Sequence, residues 1–179
     1  MSNPYKKISS KIDYQNKYFT VKKDEIIHPN GAEGVYYVIE FPHPVFVVAI
    51  TEEQEIYLVG LHRYTTDLYS WEVPAGGSEG QDKQDAAKRE LLEETGLVAG
   101  SWKEIGKFQI SNGNCNKIAY TFLATDVQQT DENKMDEEGI TAVKKVPIAE
   151  VLKMIEDGRL TDADSIAAIM QAIIHLKLL

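Results

Sequence analysis

Cysteine, long apolar runs and excess positive charge are all scarce in this sequence. A single cysteine, Cys115, cannot form an internal disulfide, which indicates a reduced thiol in a cytoplasmic protein. No stretch approaches the about eighteen uninterrupted apolar residues that a transmembrane helix needs. The first residues also lack the apolar core of a secretory signal. We therefore expect a cytoplasmic protein with no membrane partner.

The charge balance excludes another class of function. The formal net charge is −9, whereas a general nucleic-acid binder needs a basic face to neutralise phosphates. We therefore expect no nucleic-acid partner. The 179 residues, 43% of them hydrophobic, can bury a real core and fit one ordinary domain better than two.

The first third of the chain is typical of β-structure. Between residues 18 and 59, short apolar runs rich in β-branched and aromatic residues alternate with turn signals. This pattern predicts a meander of antiparallel strands. The run VFVVAI, residues 45–50, has no polar alternation, so we expect it to be buried on both faces.

The pattern changes after residue 77. A helix is predicted over residues 82–95, and it ends at Gly96, a residue type common at helix C-termini. The elements predicted after it are three strands at 102–110, 117–127 and 140–146, a helix at 148–157, and a last helix from 162 onward. Strands, a helix, more strands and two helices together indicate an α/β domain with a mixed sheet between helices.

Three glutamates crowd the end of the first predicted helix. Glu90, Glu93 and Glu94 stand at i, i+3 and i+4, so their carboxylates share one face. Like charges at this spacing cost a few tenths of a kcal/mol each. Two interpretations remain open: a solvated acidic face, or a site where a divalent cation relieves the repulsion. Converging carboxylate oxygens suit Mg²⁺ that is held jointly with substrate phosphates.

The string around these glutamates resembles a known motif. Arg89–Leu97 reads R-E-apolar-x-E-E-x-G-apolar, which is similar to the second half of the Nudix box, G-x5-E-x7-R-E-U-x-E-E-x-G-U. The preceding segment, Trp71–Gly76, reads W-E-V-P-A-G and resembles the lead-in of the branch that hydrolyses ADP-ribose and other nucleoside diphosphate sugars.

The first half of the box departs from the pattern. Counted back from Arg89, the glutamate position falls on Gln81 and the glycine position on Ala75. Equivalently, Gly76 is the box glycine, the loop is one residue short, and Asp82 stands in the acidic place. We expect the loop shape to differ while the metal site survives.

The resemblance implies a fold and an assembly. It predicts an α/β class with a Nudix-like α/β/α sandwich and a mixed β-sheet, preceded by an N-terminal antiparallel β region. Residues 1–42 would form that β-rich region and residues 43–179 the Nudix hydrolase domain. Members of this branch are commonly homodimers that use their N-terminal strands, so a homodimer is expected.

The resemblance also implies a metal site. Glu90 and Glu94 would be direct ligands of Mg²⁺, with Mn²⁺ a possible substitute. Glu93 would bind or bridge further metal and so belong to the catalytic group, and the backbone carbonyl of Ala75 would complete the inner shell.

Other box residues carry structural expectations from the same resemblance. Arg89 would organise the site, pairing with a box carboxylate and holding the loop to the helix. Gly76 and Gly96 would serve the shape of the motif.

Residues outside the box are candidates for binding substrate. Arg63 occupies the place of an arginine that contacts substrate phosphates in the ADP-ribose branch. Trp71 could stack on a base. Asn112 stands where this branch usually has a proline, within Ser111–Gly113, and Asn-Gly supplies a comparable tight turn. The departure at Asn112 leaves open a nucleotide sugar other than ADP-ribose.

An acidic segment before the last predicted strand is the candidate source of the general base. The branch holds a mobile acidic loop at this place, and here it reads Asp136–Ile140. Glu138 is the first choice and Glu137 the second. A solvated acidic loop is the alternative.

The resulting functional hypothesis is a Mg²⁺-dependent pyrophosphohydrolase that cleaves ADP-ribose or another nucleoside diphosphate sugar to a nucleoside monophosphate and a sugar phosphate. One alternative is a (deoxy)nucleoside triphosphate pyrophosphohydrolase with the same metal cassette. A non-catalytic domain that senses nucleotide sugars is disfavoured, because the chain keeps all three box glutamates and has no basic DNA-binding partner domain.

Overall fold

The computed structural model describes residues 2–78 and 80–178. These residues fold into two units. The N-terminal unit takes in the described residues up to His43 together with Gln109–Ile118. The second unit takes in Pro44–Phe108 and the described residues from Ala119 onward.

Three antiparallel strands form the sheet of the N-terminal unit, as the sequence predicts for this region. They are β1 (Lys6–Gln15), β2 (Thr20–Ile27) and β3 (Glu33–Glu40), in the order β1-β2-β3. The strand β1 is not one that the hydrophobic pattern predicts, because its sequence is mostly polar. It is exposed along its whole length.

The segment Gln109–Ile118 joins this unit through β3. The backbone N–H of Ile39 donates to the carbonyl of Asn114 at 2.8 Å, and the Asn116 N–H donates back to the Ile39 carbonyl at 3.3 Å. The Tyr36 hydroxyl donates to the Gly113 carbonyl at 3.0 Å. These contacts link residues more than seventy positions apart, so no local sequence pattern predicts them.

The larger sheet of the second unit is mixed, in the order β7-β4-β9-β8. Its strands are β4 (Pro44–Ala49), β7 (Ala75–Gly77), β8 (Leu97–Gln109) and β9 (Ile118–Gln129). Every residue of β4 is buried, as expected from its apolar run. The predicted antiparallel meander is wrong beyond β3, because β4 runs parallel to β9 and antiparallel to β7. A strand that is apolar on both faces is stable inside a covered sheet rather than in a two-sided meander.

The smaller sheet of this unit is antiparallel, in the order β10-β5-β6. Its strands are β5 (Glu55–Arg63), β6 (Leu68–Glu72) and β10 (Ile140–Pro147). Its register pairs Val59 with Glu72 and Gly60 with Trp71. The hairpin of β5 and β6 thus carries Arg63 beside its turn and Trp71 near its open end, two residues that the sequence predicts as substrate contacts.

The helices of the second unit are α1 (Lys83–Thr95), α2 (Met135–Glu138), α3 (Ile148–Glu156) and α4 (Ala163–Leu176). Helix α1 packs on β4 and β7, α4 packs on β4, and α3 packs on β5 and β10. The mixed α/β architecture is therefore confirmed. In the part of the chain that is described, no helix is long and apolar enough to cross a membrane.

Candidate active site

Helix α1 buries two of its three clustered glutamates. The side chain of Asp82 caps the first turn of α1 by accepting from the N–H groups of Gln84 and Asp85. The helix ends at Gly96, whose φ is 71°. On the face between these ends, Glu90 is 5% exposed and Glu94 is 7% exposed. A solvated acidic face, the first of the two interpretations, is therefore excluded for Glu90 and Glu94.

Burial disfavours the charge on both carboxyl groups. Burial, together with the negative charges of Glu90 and Glu138, raises the pKa of Glu94 to about 8. The N–H of Ala75 donates to Glu94 Oε2 at 3.0 Å and works in the opposite direction. Burial also raises the pKa of Glu90, against the lowering effect of Arg89. Without a cation, this pair is electrostatically unfavourable.

The segment before the helix lies directly against these carboxyl groups. A Cβ added at Gly76 would lie 2.2 Å from the carboxyl carbon of Glu90, so a larger residue there would have to displace the Glu90 carboxyl group. Its neighbour Ala75 pairs with Phe46 of β4 and contacts Glu94 through its N–H. The structure thus places Ala75 beside the buried glutamates, as a ligand through its carbonyl would require.

Glu93 is in a different environment from the buried pair. Arg89 Nη1 donates to its Oε2 at 2.9 Å, and Lys134 Nζ forms an ion pair with its Oε1. The hydrogen bond from Lys134 is the main reason that the pKa of Glu93 is lowered. Both carboxylate oxygens of Glu93 are therefore occupied by cationic side chains. Lys134 belongs to none of the motifs, so the sequence does not predict its role.

Arg89 connects the helix to the loop before it. Its Nη2 lies 2.8 Å from Glu90 Oε1 and donates to the carbonyl of Gly77 at 2.8 Å. Its Nε donates to Gln81 Oε1 at 3.2 Å. Gln81, at the position of the box glutamate, is therefore a partner of Arg89.

One residue of the acidic loop interacts electrostatically with the buried pair Glu90 and Glu94. The charge of Glu138 raises the pKa of both Glu90 and Glu94. The charge of Glu137 acts on Lys134 instead. Both residues belong to α2 and are exposed. The charge of Glu138, rather than that of Glu137, therefore acts on the two buried glutamates.

Arg63 is fixed by a buried acid that the sequence reading does not select. Its Nε donates to Glu72 Oε1 at 2.9 Å, and its Nη2 bonds to Glu72 Oε2. This bonding is the main reason that the pKa of Arg63 is raised, and the charge of Glu94 adds to it. The guanidinium of Arg63 is thus half-exposed and lies within electrostatic reach of Glu94.

Trp71 lies on the other face of the same strand. Neighbouring side chains of a strand point to opposite faces, and Glu72 is the neighbour that holds Arg63. The Trp71 ring contacts Tyr69 at 5.6 Å between centroids, and Lys144 Nζ lies 3.6 Å from the Trp71 centroid. The structure therefore does not bring Trp71 together with Arg63.

Asn112 belongs to the N-terminal unit. Its Nδ2 donates to Gln109 Oε1 at 3.3 Å, and its side chain is exposed. The N–H groups of Asn114 and Cys115 both donate to the Ser111 carbonyl at 3.0 Å, which closes the tight turn expected at this place.

The donor set fits a divalent cation shared with a ligand. Among the described residues, no three His, Cys, Asp or Glu side chains are grouped as a complete metal site. Glu90 and Glu94 instead offer hard oxygen donors in a buried setting that disfavours their charge. Such an incomplete oxygen set is typical of Mg²⁺ sites that phosphate oxygens and water complete. Fold and site together define an α/β protein with a candidate divalent-cation site on an acidic helix.

Comparison with known proteins identifies the family. A model described as NUDIX domain matches residues 41–169, and one described as nucleoside diphosphate sugar hydrolase N-terminal domain matches residues 5–39. The chain belongs to the NUDIX family and is a hydrolase, and members of this family generally use divalent metal ions.

Two relatives and one solved structure are similar over most of their length. An ADP-ribose pyrophosphatase of Bacillus subtilis is 30% identical, covering 92% of this chain and 90% of the relative. A methanol dehydrogenase activator of Bacillus methanolicus is 26% identical with the same coverage. The crystal structure of an ADP compounds hydrolase has a TM-score of 0.81, covering 97% of this chain and 94% of that chain at 22% identity. This last similarity supports the fold.

Proposed function

We propose that this protein is a Mg²⁺-dependent pyrophosphohydrolase that converts ADP-ribose or another nucleoside diphosphate sugar to a nucleoside monophosphate and a sugar phosphate. The observation that carries the proposal is the buried pair Glu90 and Glu94, whose pKa values are raised beside a complete R-E-x-x-E-E-x-G string. The match to a nucleoside diphosphate sugar hydrolase N-terminal domain and the name of the Bacillus subtilis relative support the substrate class.

Glu90 and Glu94 are the proposed holders of the cation, with Glu93 and the carbonyl of Ala75 as further ligands. A divalent cation bound there would neutralise charge on the diphosphate and make its phosphorus more electrophilic. Mn²⁺ fits the same oxygen donors and is the expected substitute. Arg89, Gly76 and Gly96 keep the helix and the preceding loop in place.

Proton transfer and phosphate binding are assigned to residues outside the helix. A water oxygen attacks one phosphorus, the bridging phosphorus–oxygen bond breaks, and the carboxylate of Glu138 accepts the proton of the water. Glu137 is the second candidate for this role. Arg63, oriented by Glu72, donates hydrogen bonds to the diphosphate and stabilises its charge. Trp71 and Asn112 stay candidates for contacting the rest of the substrate.

A substrate panel tests the proposal. ADP-ribose, ADP-glucose, GDP-mannose, UDP-glucose and deoxynucleoside triphosphates would be incubated with the protein and Mg²⁺, and products would be identified by chromatography. We expect nucleoside monophosphate and sugar phosphate from at least one sugar nucleotide. Because the two relatives carry different names, product identity must decide the substrate. Turnover of only the triphosphates would establish the alternative enzyme instead.

The control for the panel is the Glu94→Gln variant. Loss of this proposed ligand should lower kcat by several orders of magnitude while the protein stays folded, because the amide keeps the shape of the side chain but not its charge. Circular dichroism would check the fold. If Glu94→Gln keeps most of the wild-type rate, the assignment of Glu94 as a metal ligand is wrong.

The expected assembly is a cytoplasmic homodimer with no nucleic-acid or membrane partner. Strand β1 supports the dimer, because its side chains are exposed over ten residues, including Ile8, Ile12 and Tyr14. Exposed apolar side chains that continue along a sheet edge are typical of interfaces.

A further inference from the structure

Lys134 connects helix α1, which carries the box glutamates, to helix α2, which carries Glu138. Its Nζ forms an ion pair with Glu93 Oε1 at the end of α1. Its backbone N–H donates to the Glu93 carbonyl at 2.7 Å. The same residue is the N-cap of α2, and its carbonyl accepts from the N–H groups of Glu137 and Glu138 at 3.0 and 3.1 Å. Lys134 therefore connects the acidic helix directly to the loop that carries the proposed base.

The other attachments of this loop to α1 lie one turn away from Glu93. The Thr130 N–H and Oγ1 donate to the Gly96 carbonyl at 2.8 and 2.9 Å. Gln129 Nε2 donates to the carbonyls of Thr95 and Gly96 at 3.3 and 3.2 Å. These bonds fix the start of the loop to the end of α1. Among the bonds of the described residues, those of Lys134 to Glu93 connect the part with Glu138 to α1.

A cation that binds Glu93 would compete with Arg89 or Lys134 for an oxygen. Arg89 and Lys134 together occupy both carboxylate oxygens of Glu93. Arg89 is also bonded to Glu90, Gly77 and Gln81, so it is anchored from several sides. The Lys134 side chain is about half exposed and lies on a short exposed helix. Lys134 is thus the partner that a metal at Glu93 would displace.

We propose that Lys134 and a divalent cation compete for Glu93, and that Lys134 thereby links metal binding to the position of the loop that carries Glu138. This inference rests on the proposed metal site. In the metal-free protein the ion pair holds α2 against α1. When the cation engages Glu93, the lysine is released and the loop gains freedom to bring Glu138 to the substrate. Lys134 is a positioning residue in this scheme, acting through Glu93 and the loop.

The first test measures Mg²⁺ affinity by calorimetry, without substrate. Lys134→Met should bind Mg²⁺ roughly threefold to tenfold more tightly than wild type, since the metal no longer displaces an ion pair. Lys134→Arg should behave like wild type. Lys88→Met is the matched control, because Lys88 is a lysine on α1 that pairs with Asp85. It should leave the affinity unchanged if local pairing, not total charge, is responsible.

The Glu93→Gln background makes the test specific. There the amide cannot form the ion pair, so adding Lys134→Met should no longer change the Mg²⁺ affinity. An unchanged affinity in the Lys134→Met single variant would overturn the inference, and so would an increase that persists in Glu93→Gln. Absence of Mg²⁺ binding by the wild-type protein would instead remove the proposed function and this inference together.

Hydrogen exchange reports on the loop itself. In wild type, Mg²⁺ should speed exchange of the amides of Lys134, Glu137 and Glu138, since loss of the ion pair would loosen the attachment of α2 to α1. In Lys134→Met these amides should exchange fast with or without Mg²⁺. The Ala86 amide, which donates to the Asp82 carbonyl at the start of α1, is the internal control. Amides of 134–138 that exchange equally in all four conditions would overturn the link to the loop.

Discussion

At Glu94 the chain keeps a carboxyl group where its charge is unfavourable. The side chain is 7% exposed, and its pKa is raised from an ordinary value of 4.5 to about 8, mainly by burial. Nearby Glu90 and Glu138 add to the effect. A position with this cost is typical of a functional site, since folding alone would be served by an apolar residue.

The raised pKa predicts a pH-dependent stability of the metal-free protein. Below pH 4.5 the group is protonated in both the folded and the unfolded chain, and the contribution that favours folding is fully present. Between pH 4.5 and about 8 the unfolded chain releases a proton that folded Glu94 keeps. The free energy of unfolding should therefore fall as pH rises, by at most about 1.4 kcal/mol per pH unit from this group. Urea unfolding at several pH values would measure it.

Two controls isolate Glu94 in that experiment. Glu94→Gln has no carboxyl group to ionise, so its unfolding free energy should fall less steeply over the same pH range. Added Mg²⁺ favours the ionised form and should restore wild-type stability near pH 8. Parallel curves for wild type and Glu94→Gln would contradict the burial of an uncompensated carboxyl group.

The choice between Glu138 and Glu137 can be made with matched amides. The charge of Glu138 reaches Glu90 and Glu94, whereas that of Glu137 reaches Lys134. Glu138→Gln should lower kcat by about 10²- to 10⁴-fold, the range for a lost general base, with KM little changed. Glu137→Gln should stay within a few-fold of wild type. Steady-state kinetics would check both, and the reverse order would assign the base to Glu137.

At the scale of the element, helix α1 is fixed at its start by a residue that the box would use as an acid. The side chain of Asp82 accepts from the Gln84 N–H at 2.9 Å and from the Asp85 N–H at 3.3 Å. This is the geometry of a helix N-cap. The Asp82 side chain therefore stabilises the helix that carries the glutamates.

The cap predicts different outcomes for two substitutions at one position. Asp82→Ala should lower the free energy of unfolding by about 1 kcal/mol, because the first-turn N–H groups lose their acceptor. Asp82→Asn keeps an acceptor oxygen and should stay close to wild type in both stability and kcat. Thermal unfolding and steady-state rates would measure the pair. A large loss of activity in the stable Asp82→Asn variant would show that the charge, rather than the cap, is needed.

At the scale of the whole molecule, strand β1 predicts the state of assembly. Ile12 is 55% exposed on a strand that has no buried residue. If a second copy covers this strand, Ile12→Lys should shift the protein from dimer to monomer, because a buried charge without a partner is costly. Sedimentation velocity would measure the mass.

Ile174 supplies the control for the dimer experiment. It is 62% exposed and lies on α4 in the second unit. Ile174→Lys makes the same change at a similarly exposed site, and the dimer should persist. A wild-type protein that sediments as a monomer would end the dimer proposal.

The sequence by itself determined the local structure of the motif. The helix-favouring residues 82–95 and the glycine at Gly96 placed α1 within one residue of its observed bounds, since helix ends depend on nearby residues. The apolar run of β4 predicted its burial for the same local reason. The spacing of Glu90, Glu93 and Glu94 placed the three acids on one face of that helix.

Only the tertiary structure decided which partners these residues meet. The parallel pairing of β4 with β9, the attachment of Gln109–Ile118 to β3 and the ion pair of Lys134 with Glu93 each join residues about forty or more positions apart. Tertiary packing also separated the glutamates, burying Glu90 and Glu94 while Glu93 met two cations. Such contacts are set by the burial of whole faces, which no short stretch of sequence encodes.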